Sequence, residues 1–304
     1  MKTPLRIIVT ILAMLAIAAV FVFRSSGLRT ADSELRTSRI PVVSTIYPWG
    51  FVAERVGGEF VEVTVVTPPG AEPHDYEPSP RDIVKSRGAR LFLLNGFGMD
   101  VWAEKIEPDI AKSGAETITF AERATQIGAG QDPHVWLDPV FMQTAAGLVR
   151  DALIRLDPAH AAEYRANADA LVRDLTALDA EYRDGLKDCA LNEIVVPHDA
   201  FRYLAARYGF STAAVTGITP DEEPSPKNLG AIADLVRTKR IGYIFFETLV
   251  NPKIAQALAD ETGAKTLVLN PVEGLTSDDI RQGKTYLTIM KDNLVNLRTA
   301  LQCP

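Results

Sequence analysis

Residues 158–186 read PAHAAEYRANADALVRDLTALDAEYRDGL, and this stretch decides the fold of the chain. Apolar side chains recur in it every three or four residues, with Pro158 at its start and Gly185 near its end. That spacing predicts one long amphipathic helix with ordinary start and stop signals. We therefore expect residues 158–187 to form a helix that connects two other parts of the chain. The predicted apolar stripe consists of Ala161, Tyr164, Ala168, Leu171, Leu175, Leu178 and Tyr182.

On both sides of this helix, short apolar runs alternate with helix-like stretches. Before it, strands are predicted at 40–46, 61–68 and 89–96, and helices at 48–57, at 79–86 and from about Asp138. After it, strands are predicted at 192–198, 213–218, 241–247 and 265–271, and helices from about 199 and at 226–238, 252–262 and 280–301. This alternation is typical of parallel α/β sheets. We predict an α/β fold with two lobes, residues 40–157 and 188–304, whose parallel sheets are flanked by helices.

The N-terminal part of the chain has the pattern of an export segment. Residues 7–23, IIVTILAMLAIAAVFVF, contain no charge and follow Lys2 and Arg6. We predict that residues 1–23 are a signal or membrane anchor, either uncleaved or cleaved, and that residues 24–39 are a polar tether. The rest of the chain is then expected to be exported, to the outer face of the cytoplasmic membrane or the periplasm.

Composition excludes several classes of function. The 304 residues carry a formal net charge of −7, which argues against nucleic-acid binding because that needs a basic surface. Two cysteines are too few for a Cys-rich zinc module. In an exported chain, Cys189 and Cys303 are expected to form a disulfide, with two free thiols as the alternative.

Three of the four histidines share one setting. His74 (AEPHDYEP), His134 (QDPHVWLDP) and His198 (IVVPHDAF) each follow a proline and lie in a loop beside a predicted strand or helix. In open α/β sheets ligands bind at the carboxyl ends of the strands. Neutral imidazole suits zinc, copper, nickel and iron, so these three histidines are candidate metal ligands. The fourth histidine, His160, is predicted to be a solvated residue of the long helix.

A fourth ligand is expected to be an acid at another strand end. Glu247 and Glu273 both follow predicted strands, and the residue pattern does not choose between them. Asp75 and Asp199 directly follow two of the histidines, and we predict that they orient the imidazole rings.

The motifs together resemble a known family. The segments PPGAEPHDYEPSPRD, DPHVWLDP, VPHDAF, TPDEEPSPK, IFFETLVNPK and NPVEGLT are similar to those of the zinc/manganese substrate-binding proteins of bacterial ABC importers. The resemblance covers about residues 40–301, and it is to the subgroup whose two lobes are joined by one rigid helix. Two departures stand out: residues 113–131, read as a loop, lack histidine, and the family's lipid-modified cysteine is missing near the N-terminus.

The resemblance implies a metal site in the cleft between the lobes. Its ligands would be His74, His134, His198 and Glu273, with Glu247 less favoured. Three imidazoles favour Zn²⁺ over Mn²⁺ as the transported ligand. The implied partner is the permease of an ABC importer, with the chain a monomer that reaches the membrane through its N-terminal segment.

Two other functions use the same residues. A zinc hydrolase could be built on three histidines, but the sequence contains no HExxH, no G-x-S-x-G and no Gly-rich phosphate loop. A surface adhesion module would need metal only for folding. We expect a receptor rather than an enzyme.

Overall fold

The computed structural model describes residues 39–124 and 131–304. The predicted signal or anchor (1–23) and residues 24–38 of the predicted tether therefore lie outside the described residues. In the part that is described, no helix is both long enough and apolar enough to cross a membrane.

The N-terminal half contains a four-stranded parallel sheet. Its strands are β1 (Ile40–Ser44), β2 (Val61–Val65), β3 (Leu91–Leu94) and β4 (Glu116–Thr119), in the order β2-β1-β3-β4. The accompanying helices are α1 (Tyr47–Gly57), α2 (Pro80–Arg87), α3 (Val101–Lys112) and α4 (Pro139–Leu156). All four residues of β3 are buried, as expected for a central parallel strand with helices on both faces.

The connecting helix, α5, runs from Ala161 to Gly185 after a 3-10 turn at Pro158–His160. Six of the seven side chains in the predicted stripe are buried, and Ala161 is partly exposed. The helix packs along α4, which precedes it, and also against α1. The sequence prediction of one long connecting helix is confirmed.

The C-terminal half repeats the parallel arrangement. Strands β5 (Glu193–Val196), β6 (Ser211–Ala214), β7 (Tyr243–Phe246) and β8 (Lys265–Val268) pair in the order β6-β5-β7-β8. The helices are α6 (Arg202–Tyr208), α7 (Pro226–Lys239), α8 (Lys253–Thr262), α9 (Ser277–Arg281) and α10 (Tyr286–Leu301). Two parallel sheets flanked by helices and joined by a long helix confirm the predicted fold class.

Three local predictions were wrong. The loop read at 113–131 contains β4, a short edge strand in which only Ile118 is buried, so its apolar signal is weak. The strand expected at 213–218 lies at Ser211–Ala214. The helix expected at 280–301 is two helices, because the chain turns at Gly283 (φ +65°) and Thr285 caps a new helix.

One apolar core joins the two halves. It extends from β1 through α5 to β5 and α10, and includes Val42, Leu171, Val196 and Leu297. The chain from Ile40 to Pro304 forms one compact unit, so the lobe limits at residues 157 and 188 stay predictions. A disulfide between Cys189 and Cys303 fastens the end of α10 to the segment before β5, as predicted.

Candidate metal centre

The fold brings the four predicted site residues to one point. His74 lies in a 3-10 turn after β2, His198 follows β5 and Glu273 follows β8, so all three lie beyond the carboxyl ends of strands. His134 precedes the 3-10 turn Val135–Leu137 that leads into α4. One ligand atom from each of the four residues lies within 4.8 Å of the others.

The converging atoms are three imidazole nitrogens and one carboxylate oxygen. The Nε2 atom of His134 lies 3.2 Å from that of His74 and 3.3 Å from that of His198. Oε1 of Glu273 lies 3.3 Å from His134 Nε2, 3.5 Å from His198 Nε2 and 3.7 Å from His74 Nε2. The side chains of His134, His198 and Glu273 are fully buried.

This arrangement fits a divalent cation. Within the described residues, neither oxygen of Glu273 has a hydrogen-bond partner although both are buried. Buried polar atoms without partners are costly, and ring nitrogens that face one another cannot all be satisfied by hydrogen bonds alone. A cation bound by all four atoms removes that cost. Three imidazole nitrogens with one carboxylate oxygen are a donor set that zinc accepts in tetrahedral geometry.

Charges within the site shift the pKa values of its members in opposite directions. Burial lowers the pKa of His198, but the carboxylates of Glu247 and Glu273 outweigh it and hold that pKa well above its usual range. Burial raises the pKa of Glu273, but the three histidines outweigh it and hold that pKa well below its usual range. The site therefore favours an ionised carboxylate with a positive charge beside it. A proton supplies that charge when a metal ion does not.

Two buried acids orient the rings. Nδ1 of His134 lies 2.8 Å from Oδ1 of Asp132, and Nδ1 of His198 lies 2.9 Å from Oε1 of Glu247. Each acid leaves the Nε2 atom of its histidine directed at the common point. Asp132 also accepts the backbone N–H of His134 at 3.0 Å. Such carboxylate–imidazole pairs fix the tautomer and raise the basicity of a ligand.

The predicted orienting roles of Asp75 and Asp199 were wrong. Asp199 pairs with Arg202. Within the described residues the buried Nδ1 atom of His74 has no hydrogen-bond partner, so Asp75 does not hold that ring. Asp132 was missed, although it stands in the same DPH motif, two residues before the ring that it contacts. In a tight turn, the side chain two residues before a histidine can bond the imidazole ring, as that of Asp132 does. The side chain directly after the histidine points away from the ring.

A further acid, Glu72, lies beside the site. Its Oε1 accepts the backbone N–H of His74 at 3.3 Å, and its carboxyl group neighbours that of Glu273. Burial and the charge of Glu273 raise the pKa of Glu72 to about 9.

His160 lies outside the site, as predicted, but it is not simply solvated. Its ring stacks on Phe60 at 4.0 Å between centroids, and its Nδ1 lies 2.6 Å from Oδ2 of Asp157.

Several known proteins are similar to this chain in sequence and in fold. The zinc-binding lipoprotein AdcA of Streptococcus pneumoniae is 32% identical over 304 residues, which cover 94% of this chain and 60% of AdcA. The chain therefore spans about 60% of the length of the first curated relatives that it matches. The Zn(II)-bound ZnuA-like domain of that protein superimposes with a TM-score of 0.78 at 34% identity, covering 87% of this chain and 99% of the domain.

A second solved structure bears on the adhesion alternative. It is the laminin-binding protein Lmb of Streptococcus agalactiae, described as bifunctional with adhesin and metal-transporting activity. Its TM-score is 0.79 at 34% identity, and the match covers 87% of this chain and all of Lmb. The family profile described as "zinc-uptake complex component A periplasmic" matches residues 42–300. The chain therefore belongs to the ZnuA family of zinc-uptake components, as the resemblance predicted.

Proposed function

We propose that this chain is an exported receptor that captures Zn²⁺ and delivers it to the permease of an ABC importer. The observation that carries the proposal is the buried convergence of His74, His134, His198 and Glu273. Two of these residues come from the N-terminal half of the chain and two from the C-terminal half. A single bound ion would therefore contact both halves, which couples its capture to the surface formed by both.

The donor set supports zinc over manganese as cargo. Imidazole is a favourable ligand for zinc, whereas manganese is better matched by carboxylates, carbonyls and water. The relatives support the same cargo, since AdcA is named a zinc-binding lipoprotein. The export segment predicted at residues 7–23 supports a location at the outer face of the cytoplasmic membrane or in the periplasm. We propose that the receptor acts there as a monomer.

The same donor set argues against a zinc hydrolase. A catalytic zinc keeps one position open for water or substrate. Here Glu273 supplies a fourth donor, and its carboxylate is completely buried beside the three rings. The arrangement therefore favours a site that binds and carries the ion over a site that uses it as a catalyst.

Adhesion is the second candidate, because the similar protein Lmb is described as both adhesin and metal transporter. A receptor that carries zinc must release it and keep its fold. A module that needs zinc only for folding must unfold when the metal is removed.

Metal analysis of the purified chain tests the proposal. We expect one zinc per chain that a chelator removes with the fold intact, and a stronger affinity for zinc than for manganese in competition titrations. His74→Ala and Glu273→Ala should each weaken zinc binding, whereas His160→Ala, a histidine outside the site, should not. No stoichiometric zinc, or irreversible unfolding of the stripped chain, would contradict the proposal.

A further inference from the structure

The segment that carries Glu273 crosses from one half of the molecule to the other. At its start, Asn270 is held by the C-terminal half: its backbone N–H and C=O both bond the side chain of Asn293 in α10, at 2.9 and 2.7 Å. From Pro271 onward the backbone partners change. This segment, residues 270–275, thus begins on the sheet of β5–β8 and leaves it at once.

Three alternate carbonyls of this segment accept hydrogen bonds from the N-terminal half. Trp136 Nε1 donates to the carbonyl of Pro271 at 2.7 Å. The backbone N–H of Tyr47, the first residue of α1, donates to the carbonyl of Glu273 at 3.3 Å, and that of Gly70 donates to Leu275 at 2.9 Å. The backbone around Glu273 is therefore fastened to the half of the molecule that carries His74 and His134.

The change of partner coincides with an unusual backbone conformation. Val272 has φ +60°, in the left-handed region that a β-branched residue rarely adopts, and it is fully buried. Its backbone N–H donates a hydrogen bond to Oδ1 of Asn270 at 2.7 Å. A residue in such a conformation is strained, and the strain persists only where surrounding contacts enforce it. Here the enforcing contacts lie on both sides of Val272, at the carbonyl of Pro271 before it and at the carbonyl of Glu273 after it.

Of the three bonds that the N-terminal half makes to residues 270–275, only the one from Trp136 is made by a side chain. Trp136 is fully buried, and its own backbone carbonyl accepts the hydroxyl of Tyr286 at 2.7 Å. The backbone of Trp136 is therefore held in place two residues after His134. Its indole N–H bonds the carbonyl of Pro271, two residues before Glu273. His198, by contrast, is held through Glu247 by the strands of the C-terminal sheet.

We propose that Trp136 is a positioning residue that fixes Glu273 to the N-terminal half. His74, His134 and Glu273 then form a preset group of three ligands, and His198 is the one ligand that is held by the C-terminal half alone. This inference rests on the proposed function, since it concerns how the same site holds zinc. It assigns to a tryptophan without any metal-binding atom a specific effect on one ligand.

A double-mutant cycle tests it on the full chain. Trp136→Phe keeps a ring in the core and removes the N–H donor. We expect it to weaken zinc binding about tenfold, the lower end for loss of a ligand-orienting partner. In a Glu273→Ala background the same change should have no further effect, whereas in a His198→Ala background the tenfold loss should persist. Trp102→Phe, in a separate apolar cluster of the N-terminal half, is the matched control and should leave affinity unchanged.

Two further readouts separate positioning from general destabilisation. The visible spectrum of bound Co²⁺, used as a substitute for zinc, should change in Trp136→Phe while the melting temperature of the metal-free protein stays close to that of the parent. If that variant does not fold, Tyr286→Phe, which removes the bond to the Trp136 carbonyl, replaces it in the same cycle.

The outcomes distinguish this inference from the proposed function. An equal loss with and without Glu273 would show that Trp136 acts through His134 or the core, and would overturn the inference alone. Unchanged affinity in Trp136→Phe would do the same. A parent chain that binds no zinc would instead overturn the proposed function.

Discussion

At the scale of single residues, the acids behind the rings distinguish this site from three histidines that merely lie close together. Asp132 is 1% exposed and bonds both the ring and the backbone N–H of His134. Asp199 is the natural comparison, because it directly follows His198 yet bonds Arg202 instead. Comparing variants of the two aspartates therefore distinguishes the effect of a bond to a ligand from the effect of being its neighbour in sequence.

We expect Asp132→Asn to weaken zinc binding about 10–100-fold, because the neutral amide no longer holds the ring or raises its basicity. Asp199→Asn should change zinc affinity by less than about twofold, since the side chain has no bond to His198. Competition with a fluorescent zinc chelator measures both. Equal losses in the two variants would show that a general change of charge near the cleft, rather than the bond to His134, is responsible.

The raised pKa of His198 predicts how zinc binding depends on pH. Burial lowers that pKa, but the carboxylates of Glu247 and Glu273 outweigh it, so the metal-free site holds a proton there at higher pH than a free imidazole does. Zinc must displace this proton. Affinity should therefore be greatest above the pKa of His198 and fall by about tenfold for each pH unit below it.

Titrations of zinc affinity from the ordinary pKa of imidazole, about 6.5, to well above it check this dependence. Glu247→Gln removes one of the two carboxylates that raise the pKa, so the loss of affinity should begin at a lower pH in the variant. An identical pH profile in parent and variant would contradict the role assigned to Glu247.

The sequence predicts the metal ligands better than it predicts the acids that orient the ligand rings. His74, His134 and His198 each carry a Pro-His pattern beside a strand or a helix, which is visible without a structure. The choice between Glu247 and Glu273 depends on which side of the His198 ring each strand end faces. Glu247 faces Nδ1 and Glu273 faces Nε2, and that difference is set by sheet order and by the crossing of residues 270–275.

At the scale of elements, two helical glycines have opposite environments. A Cβ on Gly50 in α1 would lie 2.5 Å from Cγ2 of Val65 in β2. A Cβ on Gly147 in α4 would meet only the tip of the flexible Arg150 side chain, at 3.9 Å. Gly50 therefore sets how closely α1 approaches the sheet, whereas Gly147 only weakens its helix.

Gly50→Ala should lower the free energy of unfolding by about 1–3 kcal/mol through overpacking. Gly147→Ala should raise it by about 0.5–1 kcal/mol, because alanine is the better helix former. Denaturant unfolding of the metal-free protein measures both, which keeps zinc binding out of the comparison. A stabilising Gly50→Ala would mean that α1 and β2 are free to move apart.

Element positions were predictable where apolar patterns were strong. The connecting helix and the buried strand β3 were read from their patterns alone, since burial on fixed faces requires those residues. The edge strand β4 and the turn at Gly283 could not be predicted in this way, because both depend on contacts with distant segments of the same chain. β4 pairs with β3 through its backbone, and the turn ends α9 so that Tyr286 can reach Trp136.

At the scale of the whole molecule, the two halves share an apolar core that prevents the cleft between them from opening widely. The apolar core is continuous across α5, from Val42 in one sheet to Val196 in the other. An ion pair between Arg207 of α6 and Asp138 at the start of α4, with Nε and Oδ1 3.0 Å apart, also joins the halves. Opening the cleft like a hinge would expose this core to water, at about 25 cal/mol for each Å² of apolar surface.

We therefore expect zinc removal to cause local changes only. Small-angle scattering of the loaded and stripped protein should give the same radius of gyration, because α5 and the shared core keep the halves together.

Amide exchange should increase on stripping in the loops around His198, because their backbone belongs to the C-terminal half alone. It should increase less in residues 270–275, which are bonded to both halves. The buried face of α5 should exchange equally slowly in both states. His198→Ala, with added zinc, provides the control, since its loops should exchange as in the stripped parent. A clear increase in the radius of gyration on stripping would contradict the expected rigidity and indicate that the halves separate when zinc leaves.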